Sequence, residues 1–225
     1  MLSNISVMNV SYFGLSCFKI KYSDTVLLTD PFDPGDVELS FPAQTVDIVL
    51  YTHAYESVPD GVRKKVLPSE VRVAKGQTLL EISEPGEYEV GDIFVRFMSD
   101  PGVVLISMED VTICYVAPTR TIDDAKGFDD LGIIHYLIIP VGDSDEFLNW
   151  TKVDDVIKEI DPGVVIPSCY RIEGMKGKYG ELKTLSDFTK EYGIADVSSE
   201  KKLKLLPVVS TDDSQLKLVE LEVRK

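Results

Sequence analysis

Histidine is scarce in this sequence, which has only His53 and His135 among its 225 residues. Zinc and related metals need three or four donors each, and histidine nitrogen is the commonest of these donors. His135 lies in the apolar run 133–137, where we expect a core or edge histidine that makes one hydrogen bond. One remaining histidine, a thiol and scattered carboxylates suffice for a single weak metal site, so the count excludes a two-zinc centre.

Cysteine is also rare, and Cys17, Cys114 and Cys169 show no paired spacing. Each lies in or beside an apolar, strand-like run, where free cysteine behaves as a small hydrophobic residue. We therefore expect buried free thiols, as in a reducing compartment. No window reaches the roughly 20 apolar residues of a membrane span, and no secretion signal opens the chain. These absences predict a cytoplasmic protein.

Basic residues are few: 23 Lys and Arg stand against 38 Asp and Glu, which gives a net charge of −15. Nucleic acids and anionic membranes are bound through clustered basic residues. The densest local group near the C-terminus is Lys201, Lys202 and Lys204, and its interleaving with leucines indicates the solvent face of a strand. The prediction is therefore no nucleic acid and no membrane as partner. A small molecule or a protein remains open, and so does the oligomeric state.

The hydrophobic residues that are present, 44% of the chain, follow strand-like patterns in the first half. Short runs rich in β-branched and aromatic residues alternate with Gly, Pro, Asp or Ser, which is typical of strands joined by tight turns. The predicted strands are residues 5–13, 17–22, 26–29, 47–52, 71–74, 78–82, 86–90, 93–97, 103–108 and 112–116.

The second half changes to an α/β rhythm. Its apolar strands are nearly continuous, as expected for strands covered on both faces. A helical spacing of apolar residues follows the possible cap Thr151 and stops at residues 161–163, and a second one stops at Gly193. We predict one α/β domain over residues 1–225. The predicted elements are strands 136–141 and 164–167, helices 153–160 and 182–192, and terminal strands 203–209 and 215–223.

Polar residues follow several of the apolar strands directly, and in α/β proteins ligands bind at such strand ends. Strand 47–52 ends in His53-Ala54-Tyr55-Glu56-Ser57-Val58. Asp30 follows strand 26–29, and Cys169 follows strand 164–167. These segments are the candidate site.

Five segments resemble landmarks of one family in the expected order, and together they cover essentially the whole chain. The family is the metallo-β-lactamase superfamily, and the most similar branch comprises small zinc-dependent hydrolases resembling ascorbate-6-phosphate lactonase. The resemblance implies a four-layer αββα sandwich. The segments are Tyr-Phe-Gly-Leu-Ser-Cys-Phe-Lys-Ile at 12–20, Thr-Asp-Pro-Phe at 29–32, Glu-Pro-Gly-Glu-Tyr-Glu-Val at 84–90, Ile-Ile-Pro-Val-Gly at 138–142, and Val-Ile-Pro-Ser-Cys-Tyr at 165–170.

The same resemblance implies where metal ligands would stand. Active members hold zinc with a His-x-His-x-Asp-His loop, a later His, a bridging Asp and a final His. Here the first loop histidine is His53, and Asp100 could supply an oxygen only if the alignment shifts by about one residue. The other positions hold Tyr55, Ser57, Val58, Pro118 and Cys169.

These replacements favour a non-catalytic (pseudoenzyme) binding or scaffolding protein with no cofactor. Its vestigial cleft would contain Asp30, His53, Tyr55, Glu56, Ser57 and Cys169. In this interpretation Tyr55 fills the space of the lost metal, and Asp30 is a turn carboxylate that accepts backbone hydrogen bonds.

The alternative is a hydrolase of a lactone, ester or phosphoester with an altered site. It would use zinc or another divalent metal held by His53 and Cys169 with Asp100 or Glu56. In its metal-free form, Cys169 would be a nucleophile whose thiolate is stabilised by His53.

Overall fold

The computed structural model describes residues 8–52, 59–98, 102–119, 122, 128, 131–209 and 216–224, and it places two large β-sheets face to face. The first sheet has the order β15-β1-β2-β3-β5-β7. β1 to β3 form an antiparallel meander, whereas β3, β5 and β7 run parallel. Its strands are β1 (Asn9–Gly14), β2 (Cys17–Tyr22), β3 (Thr25–Thr29), β5 (Ile48–Leu50), β7 (Leu80–Ile82) and β15 (Leu203–Lys204).

The second sheet has the order β14-β16-β13-β12-β11-β10-β9-β8. It is antiparallel from β8 to β11 and parallel from β11 to β14, and every residue of β12 and β13 is buried. Its strands are β8 (Gly86–Val90), β9 (Ile93–Phe97), β10 (Val103–Met108), β11 (Val111–Val116), β12 (Tyr136–Pro140), β13 (Val164–Ser168), β14 (Val197–Glu200) and β16 (Leu218–Leu221).

Helices lie on the outer faces of both sheets, which confirms the predicted αββα sandwich. The main core joins the two sheets and includes the apolar faces of α4 (Trp150–Ile160) and α5 (Leu185–Glu191). A second cluster covers the outer face of the first sheet, where α2 (Asp60–Arg63) packs with a small parallel pair, β4 (Gln44–Val46) and β6 (Val66–Pro68). The short helices α1 (Pro34–Val37) and α3 (Glu70–Ala74) complete the elements used below.

The predicted strand 71–74 is wrong, because this segment lies in helix α3. Ser69 caps the helix: its side chain accepts a hydrogen bond from the Arg72 N–H at 3.2 Å. A serine cap followed by an acidic residue, Glu70, favours the start of a helix. The Val-Arg-Val alternation favours a strand, but it is too short to outweigh the cap.

The second-half helices form, but with different starts. α4 begins at Trp150 behind Asn149, whose side chain accepts from the Lys152 N–H at 2.9 Å, so Thr151 is not the cap. α5 begins only at Leu185, after a capping box between Thr184 and Asp187. In both cases a stronger side-chain acceptor fixes the first turn.

The terminal strands are shorter than predicted. Strand pairing is limited to Leu203–Lys204 and Leu218–Leu221, and Lys201 and Lys202 precede β15 in a bend. The interpretation of these lysines as one strand face is therefore wrong for two of the three. The strands β4, β6 and β14 were missed, and residues 5–7 and 215 lie outside the described part.

Two smaller predictions are confirmed. The thiols of Cys17, Cys114 and Cys169 are free and buried. His135 is buried, and its Nδ1 accepts a hydrogen bond from the Thr112 N–H at 3.0 Å, so it is a core histidine with a backbone partner. Among the described helices, none has the length and apolar character to cross a membrane.

Candidate binding cleft

A cavity of about 350 Å³ opens where β3, β11 and β13 end. Ser16, Asp30 and Cys169 line its floor. Pro118, which follows β11, lines the same cavity. The structure thus brings together Asp30, Pro118 and Cys169 from three separate segments, as expected from strand ends that meet at one edge of a sandwich.

Asp30 is held in place on all sides by protein donors. Its backbone N–H donates to the Leu50 carbonyl at 2.8 Å, and its φ of +33° lies in the left-handed region. Oδ1 accepts from the Thr52 N–H at 2.7 Å, and Oδ2 accepts from the Thr52 hydroxyl at 2.6 Å. The Tyr115 hydroxyl makes a very short hydrogen bond to Oδ2. Only 2% of Asp30 is exposed, so these uncharged donors replace the water that would solvate a carboxylate.

Tyr115 connects the two sheets at the cavity floor. It belongs to β11 of the second sheet, whereas Asp30 and Thr52 follow β3 and β5 of the first. Its hydroxyl also lies 3.0 Å from the Ser16 carbonyl oxygen. Burial, and next the charge of Asp30, raise the pKa of the Tyr115 hydroxyl well above its usual value. The phenol therefore stays protonated and remains a donor to Asp30.

Cys169 is one of the residues that line the cavity, but it is fully buried. Its backbone has φ of +50°, and its N–H donates to the Leu15 carbonyl at 2.8 Å. Burial raises the pKa of the Cys169 thiol far above its usual value. A neutral thiol is a poor nucleophile and a poor metal ligand, because both roles need the thiolate.

An apolar wall stands beside this polar floor. Leu15 lies in the turn between β1 and β2, with φ of +49°. Its side chain packs in one buried cluster with Val37, Phe147 and Cys169. Phe32 packs against the same cluster and lines the cavity. This side of the cavity is therefore apolar.

The rim of the cavity carries charged groups. Lys178 donates to both carboxylate oxygens of Glu146, at 3.1 and 2.8 Å, and both side chains are more than half exposed. Lys176 pairs with Glu38 at 2.7 Å, so two ion pairs hold the segment with the 3₁₀ helix Gly177–Glu181 over the cavity. Asp33 also lines the cavity and caps α1 by accepting from the Gly35 N–H at 2.8 Å.

Six residues singled out from the sequence lie outside the described residues: His53, Tyr55, Glu56, Ser57, Val58 and Asp100. Their predicted roles stay predictions. Within the described ranges, no three His, Cys, Asp or Glu side chains come together as a metal site would require. Pro118 offers no side-chain donor, and the Asp30 oxygens accept hydrogen bonds from Thr52 and Tyr115. The described residues by themselves therefore do not complete a metal site.

Sequence reasoning missed Thr52, Tyr115 and Leu15 as parts of this site. Thr52 and Tyr115 stand within strand-like runs, where a threonine or tyrosine is unremarkable. Leu15 stands in a short apolar run, where a leucine is equally unremarkable.

Comparison with known proteins gives the same fold and a family. Residues 9–169 match the family model described as beta-lactamase superfamily domain. A metal-dependent hydrolase of Listeria monocytogenes serotype 4b is 23% identical over 170 residues, 61% of this chain and 74% of the relative. A metal-dependent hydrolase of Lysinibacillus sphaericus is 23% identical over 198 residues, 72% of this chain and 85% of the relative.

Solved structures share the architecture at low sequence identity. A protein from Thermotoga maritima described as a Zn-dependent hydrolase of the metallo-beta-lactamase superfamily has a TM-score of 0.74 at 21% identity, covering 96% of this chain and all of that one. An isothiocyanate hydrolase from Delia radicum gut bacteria has a TM-score of 0.58 at 11% identity, covering 90% of this chain and all of that one. At these identities the likeness establishes the fold alone.

Proposed function

Because this chain belongs to the beta-lactamase superfamily, we propose that it is a non-catalytic member that keeps the family's cleft as a binding site. The cleft has the size of a small-molecule pocket, and its floor is built from residues that hold the strands together. The proposed function is binding or scaffolding rather than metal-dependent hydrolysis.

The observation that carries the proposal is the buried carboxylate of Asp30, which accepts hydrogen bonds from Thr52 and Tyr115. A metal ligand or general base needs a free lone pair directed at the reacting centre. Both oxygens of Asp30 instead accept hydrogen bonds from Thr52 and Tyr115, and the carboxylate is buried beneath the cavity. Recruiting it to a metal would leave these donors without their acceptor, which costs about 1–3 kcal/mol per group.

The lining of the cavity also indicates the chemistry of its occupant. Apolar contacts come from Leu15, Phe32 and Phe147, which suit an apolar or aromatic body. Among the described lining residues, the carboxylates of Asp30, Asp33 and Glu146 outnumber the single ammonium of Lys178. This balance favours an uncharged or cationic small molecule over a phosphoester, since like charges repel in a partly closed site.

Metal analysis of the purified protein tests the non-catalytic proposal. The protein is prepared without chelator and assayed for zinc, iron and manganese by mass spectrometry. We expect much less than one metal ion per chain, and no hydrolysis of a panel of lactones and esters above background. A near-stoichiometric content of any of the three metals would sink the proposal.

The second candidate is a hydrolase with an altered site at His53 and Cys169. It is favoured by the position of Cys169 on the cavity and by relatives named metal-dependent hydrolases. If some ester, lactone or thioester is hydrolysed, Cys169→Ser is the decisive variant and Cys114→Ser is its control, because Cys114 is equally buried but lies within β11. Loss of turnover in the first variant only would establish this candidate.

A further inference from the structure

The segment 172–182, between β13 and α5, forms a closed loop beside the cleft. Its two ends meet, because the Arg171 N–H donates to the Lys183 carbonyl at 2.9 Å. The Lys183 N–H in turn donates to the Gly142 carbonyl at 2.7 Å, which fixes the base of the loop to the residues after β12. Compact surface loops with adjacent ends are Ω-loops, and such loops frequently have a functional role.

The backbone of this loop is hydrogen-bonded only to itself. The Met175 N–H donates to the Ile172 carbonyl at 3.2 Å, and the Gly180 N–H donates to the Lys176 carbonyl at 3.3 Å. Among the described residues, no backbone hydrogen bond joins residues 172–182 to another part of the chain. By contrast, β13 is paired with β12 on one side and with β16 on the other. A segment with so few backbone links opens locally at a much lower free energy than the strands beside it.

Apolar side chains seat the loop on the cleft. Met175 and Leu182 are buried in the same cluster as Leu15 and Cys169. Tyr179 packs against this cluster and also lines the cavity. The loop therefore takes part in burying the cavity floor, and movement of the loop away from the cluster would open that floor to solvent.

Two exposed ion pairs are the polar links between the loop and the rest of the described residues. Lys176 contacts Glu38, the C-cap of α1, at 2.7 Å. Lys178 contacts Glu146, in the segment between β12 and α4, at 2.8 Å. All four side chains are at least 45% exposed, so dissolved salt screens both pairs. Exposed pairs of this kind are weak, and they suit a link that is repeatedly broken and remade.

We propose that residues 172–182 are a flap that opens to admit a small molecule to the cleft, and that its two ion pairs set how often it opens. This inference rests on the proposed function, because a binding cleft with a buried floor needs an entrance. Gly174 and Gly177 have φ of +96° and +57° and open space around them, so the backbone can change shape there at low cost. Because salt weakens the ion pairs, salt should increase the open fraction of the flap.

Alkylation by iodoacetamide at about pH 8, read at each cysteine by mass spectrometry of peptides, tests the proposal. The reagent is small and uncharged, so it is insensitive to the charge of a variant. Cys114 is the internal control, because it is buried within β11 and becomes exposed only when the sandwich unfolds. We expect slow alkylation of Cys169 that is still about tenfold faster than that of Cys114. It should become about threefold faster between about 0.05 and 1 M sodium chloride.

Removal of both ion pairs should have the same effect as salt. Whichever side of the pairs is changed, alkylation of Cys169 at low salt should become about fivefold faster, with little further effect of added salt. Lys158→Met is the matched control, because it breaks the exposed ion pair with Asp154 on α4 and should change the rate less than about twofold. Alkylation of Cys114 should remain unchanged throughout. The two double variants are Lys176→Met with Lys178→Met and Glu38→Gln with Glu146→Gln.

Several results would overturn the proposal. Equal alkylation rates at Cys169 and Cys114 would mean that only global unfolding exposes the cavity floor. If the double variants behave like Lys158→Met, or if salt has no effect, the ion pairs do not govern opening. Hydrogen exchange of residues 172–182 should accelerate in the same variants, and unchanged exchange would also contradict the flap. The proposed function fails on the metal content of the cleft, which these rates do not measure, so the two failures are distinguishable.

Discussion

Two buried aspartates stand at opposite ends of the parallel strands β3 and β5. Asp30 follows β3 at the cleft, and Asp47 precedes β5 at the α3 end. They are 2% and 4% exposed, and each accepts from one backbone N–H and at least one hydroxyl. Asp47 holds a strand start and a helix cap together. Because Asp30 is satisfied in the same manner, the comparison indicates that Asp30 is a structural carboxylate too.

The two aspartates differ in the elements that they connect. Asp47 contacts Val26 and Ser69, which belong to the first sheet and the segment beside it. Asp30 contacts Tyr115 of the second sheet as well as Thr52 of the first. Asp30 therefore joins the two sheets of the sandwich at the cavity floor.

Among the substitutions, the largest expected effect is that of Asp30→Asn. The amide removes the charge and places an N–H₂ group among donors, so the free energy of unfolding should fall by about 3 kcal/mol. Urea unfolding followed by circular dichroism measures this change. Asp47→Asn is the control, with an expected loss of about 1–2 kcal/mol because it has fewer donors. An equal loss in the two variants would mean that Asp30 contributes no more to stability than Asp47 does.

A smaller loss is expected for Tyr115→Phe. It deletes the donor to Asp30 from the second sheet and should cost about 1–2 kcal/mol. Tyr88→Phe is the matched control, since its hydroxyl donates to the Glu84 carbonyl at an exposed site and should cost less than about 0.5 kcal/mol. Differential scanning calorimetry compares the two. If both variants unfold at the same temperature as the wild type, the hydrogen bond between Tyr115 and Asp30 does not stabilise the fold.

Alkaline pH should weaken the fold through the buried thiols. Burial raises the pKa of Cys17 and Cys169 well above the usual value, and that of Cys114 to about 12. The unfolded thiols ionise near pH 8.5 while the folded ones stay protonated. Stability is therefore complete below about pH 8.5 and is lost as pH rises, by roughly 1.4 kcal/mol per pH unit for each thiol.

Unfolding free energies measured across this pH range test the effect. Cys114→Ala should reduce the loss of stability with rising pH by the contribution of one thiol, roughly 1.4 kcal/mol per pH unit. A stability that stays constant up to pH 10 would contradict the burial of these groups. Rapid alkylation of Cys169 in the folded protein at neutral pH would contradict its inertness directly.

The smallest effect is expected at the cleft rim. Lys178→Met breaks the ion pair with Glu146, but both groups are more than half exposed, so stability should change by less than about 0.5 kcal/mol. Thermal melting of this variant beside the wild type measures it. A large loss would mean that the rim, rather than the Asp30 floor, holds the cleft together.

The sequence predicted most of the sandwich, because long apolar runs with clear turns leave few alternatives. β2, β8, β9 and β10 have the predicted bounds. The segment 71–74 was wrong because four residues with alternating valines fit a strand and one helical turn equally well, and only the Ser69 cap decides. The pair β4 and β6 was also missed, because strands of three residues are too short to show a periodic pattern.

The cleft was less accessible to prediction from the sequence. Strand ends placed Asp30 and Cys169 at one cavity, and the family pattern placed Pro118 there. The partners of Asp30 could not be found in this way. Tyr115 lies 85 positions away, and only the packing of one sheet on the other brings its hydroxyl to the carboxylate. Hydrogen bonds between distant strands leave no local signal.

A crystal structure of the protein soaked in zinc, with anomalous scattering recorded at the zinc edge, tests the central claim most directly. The account predicts no anomalous peak in the cleft and hydrogen bonds from Thr52 and Tyr115 to Asp30 that are unchanged from an unsoaked crystal. A full-occupancy peak coordinated by Asp30 or Cys169 would contradict it.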